Sequence, residues 1–198
     1  MIKVTTLAEN TASQAFGIIG EHGLSVLVER DGHKILFDTG QGFSIVHNAD
    51  ILGVKLQGIE KIVLSHGHYD HTGGLREVLR RTGEVEVIAH PDILEAKYAK
   101  RDRHPLRYIG IPFNISELES LGARFKFEKL PVRVAPGVIT TGEIERKNSF
   151  EQVDSNLYVK RNGLLEKDRM LDDQALVIET GKGLIAVSYT HLTLPTKA

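Results

Sequence analysis

The chain has 198 residues, with 25 Lys plus Arg against 26 Asp plus Glu and no cysteine. This length predicts one domain with a substantial core, and the near-neutral charge argues against a general nucleic-acid or membrane-surface binder. The lack of cysteine excludes disulfides and thiolate metal sites. No apolar run approaches membrane-spanning length and the N-terminus lacks a signal-peptide pattern, so we expect a cytoplasmic protein.

The first part of the chain predicts a short run of strands followed by a helix. Apolar patterns predict strands over residues 1–7, 24–29 and 34–37, and the turn at 30–33 joins the last two as a hairpin. Apolar residues at helical spacing predict a helix over residues 43–52 that ends at the following glycine. Asp38 therefore lies at the end of the third strand.

Three histidines and a carboxylate then occur within six residues, namely His66, His68, Asp70 and His71. They follow the apolar run 62–64, which predicts a buried strand, and precede a predicted helix over residues 75–81. The four side chains are thus predicted on a loop at the C-terminal end of a strand, where catalytic groups are common. The alternative is a polar surface loop that is rich in histidine.

The spacing of these side chains suits a pair of metal ions. His66 and His68 would point the same way in an extended loop, while the adjacent Asp70 and His71 would serve a second ion. Imidazole and carboxylate ligands suit zinc, iron or manganese. Two such ions roughly 3.5–4 Å apart would hold a hydroxide between them and bind an oxygen-bearing substrate.

The motif His-x-His-x-Asp-His resembles the metal motif of the metallo-β-lactamase superfamily. Residues 35–40 are similar to the Asp-bearing turn that precedes the motif in that superfamily. Residues 7–11, 21–25 and 172–176 are similar to segments of a subgroup that includes the dihydropterin–ribofuranosylaminobenzene phosphate synthase and many uncharacterised hydrolases. The resemblance covers roughly residues 1–187. It implies an α/β fold, the αββα sandwich, and two divalent ions as cofactors.

The resemblance also implies roles for individual residues. His66, His68, Asp70 and His71 would bind metal, and Asp70 would also orient the bridging hydroxide. Asp38 would accept a hydrogen bond from a ligand histidine and fix its tautomer, although a simple Asx turn is the alternative. We therefore predict Asp38 and Asp70 as the catalytic residues.

Two further positions bear on the ligand set. Many superfamily members carry a third histidine ligand where this chain has Glu143, which leaves the first metal short of ligands. Asp173 is a candidate for the rim of the pocket.

The middle of the chain predicts a crossover followed by a charged segment. A strand over residues 84–89 makes a strand–helix–strand unit with parallel strands and ends at His90, which we expect to flank the pocket without ligating metal. We predict helices over Ile93–Lys100 and over residues 116–121, the second capped by Ser116, and then a strand over residues 123–129.

We interpret residues 92–122 as an insertion that forms a lid over the site. The segment contains a dense cluster of basic residues, which would attract a phosphate or sulfate group. The alternative is a solvated helix face and loop. The cluster consists of Lys97, Lys100, Arg101, Arg103, His104 and Arg107.

The last part of the chain predicts a strand pair that turns at residues 136–137 and a strand hairpin over 176–187. Residues 147–170 are predicted irregular apart from a strand at 157–159. Residues 188–198 do not resemble the family, and we interpret them as a non-native tail, with His191 unrelated to the site. The domain is then 1–187 with an incomplete C-terminal half, and we expect weak or no activity from this chain.

These observations predict a metal-dependent hydrolase that uses a dinuclear centre and activated water on a phosphate, sulfate or acyl ester. Zinc is the expected metal, with iron or manganese as alternatives. One alternative function is a methanopterin-type dihydropterin synthase that forms a C–N bond, and another is a truncated, inactive metal-binding module. The expected partner is an anionic small molecule, not nucleic acid or a membrane, and a homo-oligomer remains open.

Overall fold

The computed structural model describes residues 1–12, 17–147 and 152–188. The strands within these ranges are β1 Ile2–Ala8, β2 Ser25–Arg30, β3 His33–Phe37, β4 Lys61–Val63, β5 Val85–Ala89, β6 Ala96–Ala99, β7 Arg107–Tyr108, β8 Ala123–Phe127, β9 Arg133–Ala135, β10 Val138–Thr140, β11 Leu157–Arg161, β12 Leu164–Lys167, β13 Leu176–Thr180 and β14 Gly183–Val187. The helices are α1 Ser44–Ile51, α2 Tyr69–Thr72, α3 Leu75–Thr82 and α4 Ile115–Ser120, with a 3-10 helix at Pro91–Leu94. The residue His191 lies outside the described residues.

The largest sheet has the order β1-β2-β3-β4-β5-β8. The predicted hairpin is confirmed, since β2 and β3 pair antiparallel with Arg30 opposite His33. The predicted crossover is also confirmed, because β4 and β5 pair in parallel and α3 connects them. From β3 to β8 all pairs are parallel, so both faces of these strands must be covered.

Each face of this sheet packs against a different layer. One face, including Leu36, Ile62 and Val87, forms a buried cluster with residues of α1, α3 and α4. The other face, including Phe37 and Val63, packs against a second sheet of order β14-β13-β10-β9. The predicted α/β sandwich is therefore confirmed as helices, sheet and sheet in successive layers.

The outer part of the second sheet is incompletely covered. Strand β14 lies at the edge of that sheet, and its side chains Leu184 and Ile185 are exposed.

Among the described residues, no helix has both the length and the apolar character needed to cross a bilayer.

A third, smaller sheet has the order β12-β11-β6-β7 and unites two segments that are distant in the chain. Our prediction of a helix over Ile93–Lys100 is wrong, because this stretch forms a 3-10 helix and then β6. The long-range pairing of β6 with β11, which places Tyr98 opposite Tyr158, outweighs the local helical spacing of apolar residues. We also missed β12, which is exposed along its length and so carries no alternating apolar pattern.

The helix predicted over residues 116–121 is present as α4, but its N-cap residue is Asn114 and not Ser116. Ser116 instead lies within the first turn of the helix. The helix buries Leu118 in the core cluster beside α3 and β8.

Lys97 does not belong to an exposed basic cluster, contrary to our prediction. Its side chain is about 1% exposed, and its Nζ donates to Asp168 Oδ2 and Asp172 Oδ1, each at 2.9 Å. Burial alone would lower the pKa of Lys97, but the two carboxylates outweigh burial and hold the pKa above its usual value. The lysine therefore ties the third sheet to the body of the domain as a buried cation.

The same network reaches the histidine-rich loop. Oδ2 of Asp172 accepts a hydrogen bond from the backbone N–H of Gly67 at 2.8 Å. A Cβ at Gly67 would lie 2.3 Å from the carbonyl oxygen of Ile93, so only glycine fits between His66 and His68. Lys97, Asp172 and Gly67 thus fix the position of the loop from its outer side.

We predict that Lys97→Met destabilises the protein by about 3–5 kcal/mol, because it leaves buried carboxylates without their cation. Chemical denaturation would measure the change in the free energy of unfolding. Lys100→Met is the matched control, since Lys100 is exposed on the same segment and should change stability by less than about 0.5 kcal/mol. Equal stability of the two variants would contradict the role given to Lys97.

Candidate metal centre

The four predicted ligands lie together at the C-terminal end of β4. His66, His68, Asp70 and His71 are all buried, with at most 3% of any residue exposed. The local structure differs from the extended loop that we predicted, because Asp70 and His71 lie on the single-turn helix α2 and His68 is its N-cap residue. The loop therefore changes direction between the two pairs of side chains.

The distances between these side chains are short, so they form one cluster. His66 Nε2 lies 3.1 Å from His68 Nδ1, and the ring centroids of His66 and His71 are 4.2 Å apart. Asp70 Oδ2 lies 3.7 Å from His71 Nε2. The carbonyl oxygen of His71 accepts hydrogen bonds from both the N–H and the hydroxyl of Thr39, which ties α2 to the end of β3.

Asp38 is fully buried and accepts several hydrogen bonds from this region. Its Oδ2 lies 2.7 Å from His71 Nδ1, and its Oδ1 accepts the backbone N–H of Ser65 at 2.7 Å. Its φ of 57° lies in the left-handed region, which Asp tolerates better than most residues do. The carboxylate thus contacts the ring of a predicted ligand.

Ser65 extends the influence of Asp38 to a second histidine, a role that our sequence analysis missed. Its hydroxyl donates to Asp38 Oδ2 at 2.6 Å, which leaves the hydroxyl oxygen to accept from His66 Nδ1 at 2.9 Å. Nδ1 then carries the proton in both His66 and His71, so Nε2 is the nitrogen that each would offer to a metal. The position of Ser65, between the strand and the motif, was the available signal.

The same carboxylate controls the basicity of His71. Burial alone would lower the pKa of the His71 imidazole, but the charge of Asp38 and its hydrogen bond outweigh burial and raise the pKa above its usual value. Asp70 and Asp173 add to this effect through their charges. A more basic imidazole is a better metal ligand.

His22 is a second residue that our sequence analysis did not assign to the site. Its Nε2 lies 3.1 Å from Asp70 Oδ2, and its side chain is 55% exposed. The neighbouring Glu21 accepts backbone N–H groups at the start of α1, including those of Phe43 and Ser44, and so holds this segment in place. The only sequence signal was the similarity of residues 21–25 to a family segment.

Asp173, which we predicted as a candidate for the rim of the pocket, is buried, with about 4% of the residue exposed. Its Oδ2 lies 3.3 Å from Arg146 Nη2, while its Oδ1 has no hydrogen-bond partner in the described part of the chain. Burial raises the pKa of Asp173 to about 7, although Arg146 opposes this shift. A buried carboxylate oxygen of this kind is available to a ligand.

The position of the expected third histidine is occupied by Glu143, whose Oε2 lies 3.5 Å from His90 Nε2. His90 is buried, and its Nδ1 accepts the backbone N–H of Asp92. The tautomer that this bond requires places the proton on Nε2, facing Glu143. His90 and Glu143 therefore face each other beside the loop.

The donor set fits divalent metal ions in its chemistry. Three imidazoles and a carboxylate are buried together, two of the rings have their Nε2 fixed by Asp38 and Ser65, and Asp173 adds a carboxylate oxygen without a donor. The described residues do not, however, contain three His, Asp or Glu side chains already arranged around one ion. In this arrangement His66 and His68 hydrogen-bond to each other.

A cavity of about 260 Å³ opens beside the cluster, with His68 and Asp70 in its lining. His22 and Tyr69 also line it, together with residues of the third sheet and its connections. A small molecule in this cavity would therefore lie next to two of the predicted ligands.

Comparison with known proteins agrees with this geometry. The family model described as metallo-beta-lactamase superfamily matches residues 18–147. The 7,8-dihydropterin-6-methyl-4-(beta-D-ribofuranosyl)-aminobenzene-5'-phosphate synthase of Methanocaldococcus jannaschii is 36% identical over 196 residues, covering 94% of this chain and 67% of that protein. An uncharacterized protein of the same organism is 34% identical over 193 residues, covering 96% of this chain and 70% of that protein.

A solved structure is also similar. The crystal structure of Tm1679, a metal-dependent hydrolase of the beta-lactamase superfamily, has a TM-score of 0.77 and 28% identity, covering 95% of this chain and 65% of that one. The chain spans about two thirds of the length of these three proteins. Members of the superfamily generally bind divalent metals. From its fold, its motif and these similarities, the chain belongs to the metallo-β-lactamase superfamily.

Proposed function

We propose that the protein is a metal-dependent hydrolase that directs water at a phosphate, sulfate or acyl ester. The observation that carries this proposal is the buried cluster of His66, His68, Asp70 and His71 beside an open cavity. The similarity to a structure described as a metal-dependent hydrolase supports it. We propose zinc as the metal, with iron or manganese as alternatives.

Each residue has a distinct part in this proposal. His66, His68, Asp70 and His71 would hold two divalent ions, which when bound lower the pKa of water and polarise the attacked centre. Asp38 fixes His71 directly and His66 through Ser65, so both rings present Nε2. Asp70, which His22 contacts from the solvent side, would orient the attacking water.

A carbon–nitrogen bond-forming synthase is the second candidate. The observation that favours it is the 36% identity over 94% of this chain to a protein named as a dihydropterin synthase. The same buried cluster would then bind and polarise a substrate oxygen in place of delivering water. A metal-binding module without enzymatic activity is the third candidate.

We further propose that the protein acts in the cytoplasm on an anionic small molecule, and not on nucleic acid or a membrane. The near balance of 25 basic and 26 acidic side chains supports this, because nucleic-acid binding depends on a basic excess. A homo-oligomer is compatible with the proposal.

We predict that Asp38→Asn weakens metal binding by about 10–100-fold. The reason is that the neutral amide replaces the charged oxygen that accepts hydrogen bonds from both the Ser65 hydroxyl and His71 Nδ1. Competition with a chromogenic chelator would measure the dissociation constant for zinc. Asp31→Asn is the matched control, since Asp31 also has a positive φ but lies in the exposed β2–β3 turn. Identical zinc affinity in the two variants would argue against the orienting role of Asp38.

We predict that the metal-loaded protein hydrolyses bis(4-nitrophenyl) phosphate or 4-nitrophenyl esters of sulfate or acetate, at the weak level that we expect from this chain. Asp70→Asn should lower kcat by about 100-fold or more, because the group that orients the attacking water loses its charge. Asp50→Asn on the exposed side of α1 is the control and should keep full activity.

The outcome separates the three candidates. Failure to cleave any of these esters, combined with condensation of a dihydropterin and an aminobenzene ribofuranosyl phosphate, would replace the hydrolase with the synthase. Tight metal binding without either reaction would leave the non-enzymatic module.

A further inference from the structure

The cavity beside the candidate metal centre has an apolar wall. Ala99, Ile109 and Leu157 line it, and Ile109 and Leu157 are buried in a small cluster that Tyr69 packs against. His68 and Asp70 form the part of the lining that belongs to the predicted metal ligands. A flat apolar group would therefore fit against the wall while its reacting bond lies near the ligands.

Two arginines line both this cavity and a second, neighbouring cavity. Arg101 and Arg107 line the inner cavity, and both also line an adjoining cavity of about 520 Å³. The outer cavity adds the imidazole of His104, and its remaining lining residues are uncharged. Three of the six residues in the basic cluster that we predicted from sequence thus line these two neighbouring cavities.

The guanidinium groups retain donors for a ligand. Arg107 donates through Nη2 to the hydroxyl of Tyr69 at 2.5 Å and lies 5.1 Å from the ring centroid, which uses one of its five N–H donors. The guanidinium group of Arg101 has no hydrogen bond or ion pair within residues 1–12, 17–147 and 152–188. Both side chains are exposed, so an ion in the cavity could reach them.

The acidic groups that line the inner cavity have other contacts. Asp70 lies 3.1 Å from His22. Asp154 Oδ1 accepts from the backbone N–H and the side-chain amide of Asn156, each at 2.9 Å. Neither aspartate forms an ion pair with Arg101 or Arg107 in the described residues, so the two positive charges are not neutralised by their neighbours.

We propose that Arg101 and Arg107 form an oxyanion-binding site for the substrate of the proposed reaction. The substrate would carry a phosphate or sulfate group on a small apolar body, with the anionic group between the arginines and the apolar part against Ile109 and Leu157. Planar guanidinium groups suit the oxygens of such anions because they donate two parallel hydrogen bonds. This inference rests on the proposed function, since it names the substrate class of the same site.

Calorimetric titration of the metal-loaded protein with phenylphosphonate tests the proposal. Arg101→Gln and Arg107→Gln should each weaken binding by about 10-fold or more, as expected for the loss of a charged hydrogen-bond donor. Arg101→Lys should recover part of the affinity because it retains the charge. Benzyl alcohol, which has the ring without the anion, should bind equally weakly to all of these proteins.

Arg103→Gln is the matched control, since Arg103 lies on the same segment but lines neither cavity. It should bind phenylphosphonate as the unmodified protein does. Thermal unfolding of each variant checks that Arg107→Gln, which also loses the contact with Tyr69, still folds. The proposal would be overturned if Arg101→Gln and Arg107→Gln both fold and both bind phenylphosphonate with the affinity of the unmodified protein. The anion would then be held by metal alone.

The failure of this inference differs from the failure of the proposed function. Ester hydrolysis with phenylphosphonate binding that ignores both arginines refutes the oxyanion site and keeps the hydrolase. Arginine-dependent binding without hydrolysis of any tested ester refutes the hydrolase and keeps the oxyanion site.

Discussion

The carboxylate of Asp38 organises the candidate centre because of where two parallel strands end. Phe37 of β3 pairs with Val63 of β4, so the residues that follow each strand, Asp38 and Ser65 among them, meet at one edge of the sheet. From there the buried carboxylate holds the ring of His71 directly and the ring of His66 through a serine hydroxyl. The orientation of two imidazoles therefore depends on the register of the sheet, which the buried cores on both faces maintain.

The parts of this structure that the sequence could predict are those with local signals. The β2–β3 hairpin, α1, α3 and the parallel strands each carry an apolar period or turn residues of their own. The cluster of His66, His68, Asp70 and His71 was recognisable because all four side chains lie within six residues. Asp38 could be placed through its position at the end of a strand.

The parts that the sequence could not predict depend on partners far away in the chain. Lys97 has the character of a surface residue until the carboxylates of Asp168 and Asp172 are brought to it. The strand β6 has a helical pattern of apolar residues and becomes a strand only beside β11. His22 likewise joins the site only because the fold places it against Asp70.

The hydrogen bond between Gly67 and Asp172 spans 105 residues of sequence, and the bond between Lys97 and Asp172 spans 75. During synthesis the ribosome therefore releases the histidine loop long before the carboxylate that restrains it exists. The loop therefore lacks its hydrogen bond to Asp172 until the segment that contains this residue has emerged and docked. In the proposed metal-dependent enzyme, loading of metal into the centre would then be coupled to this docking step, whose long-range contacts carry a high loop-closure entropy.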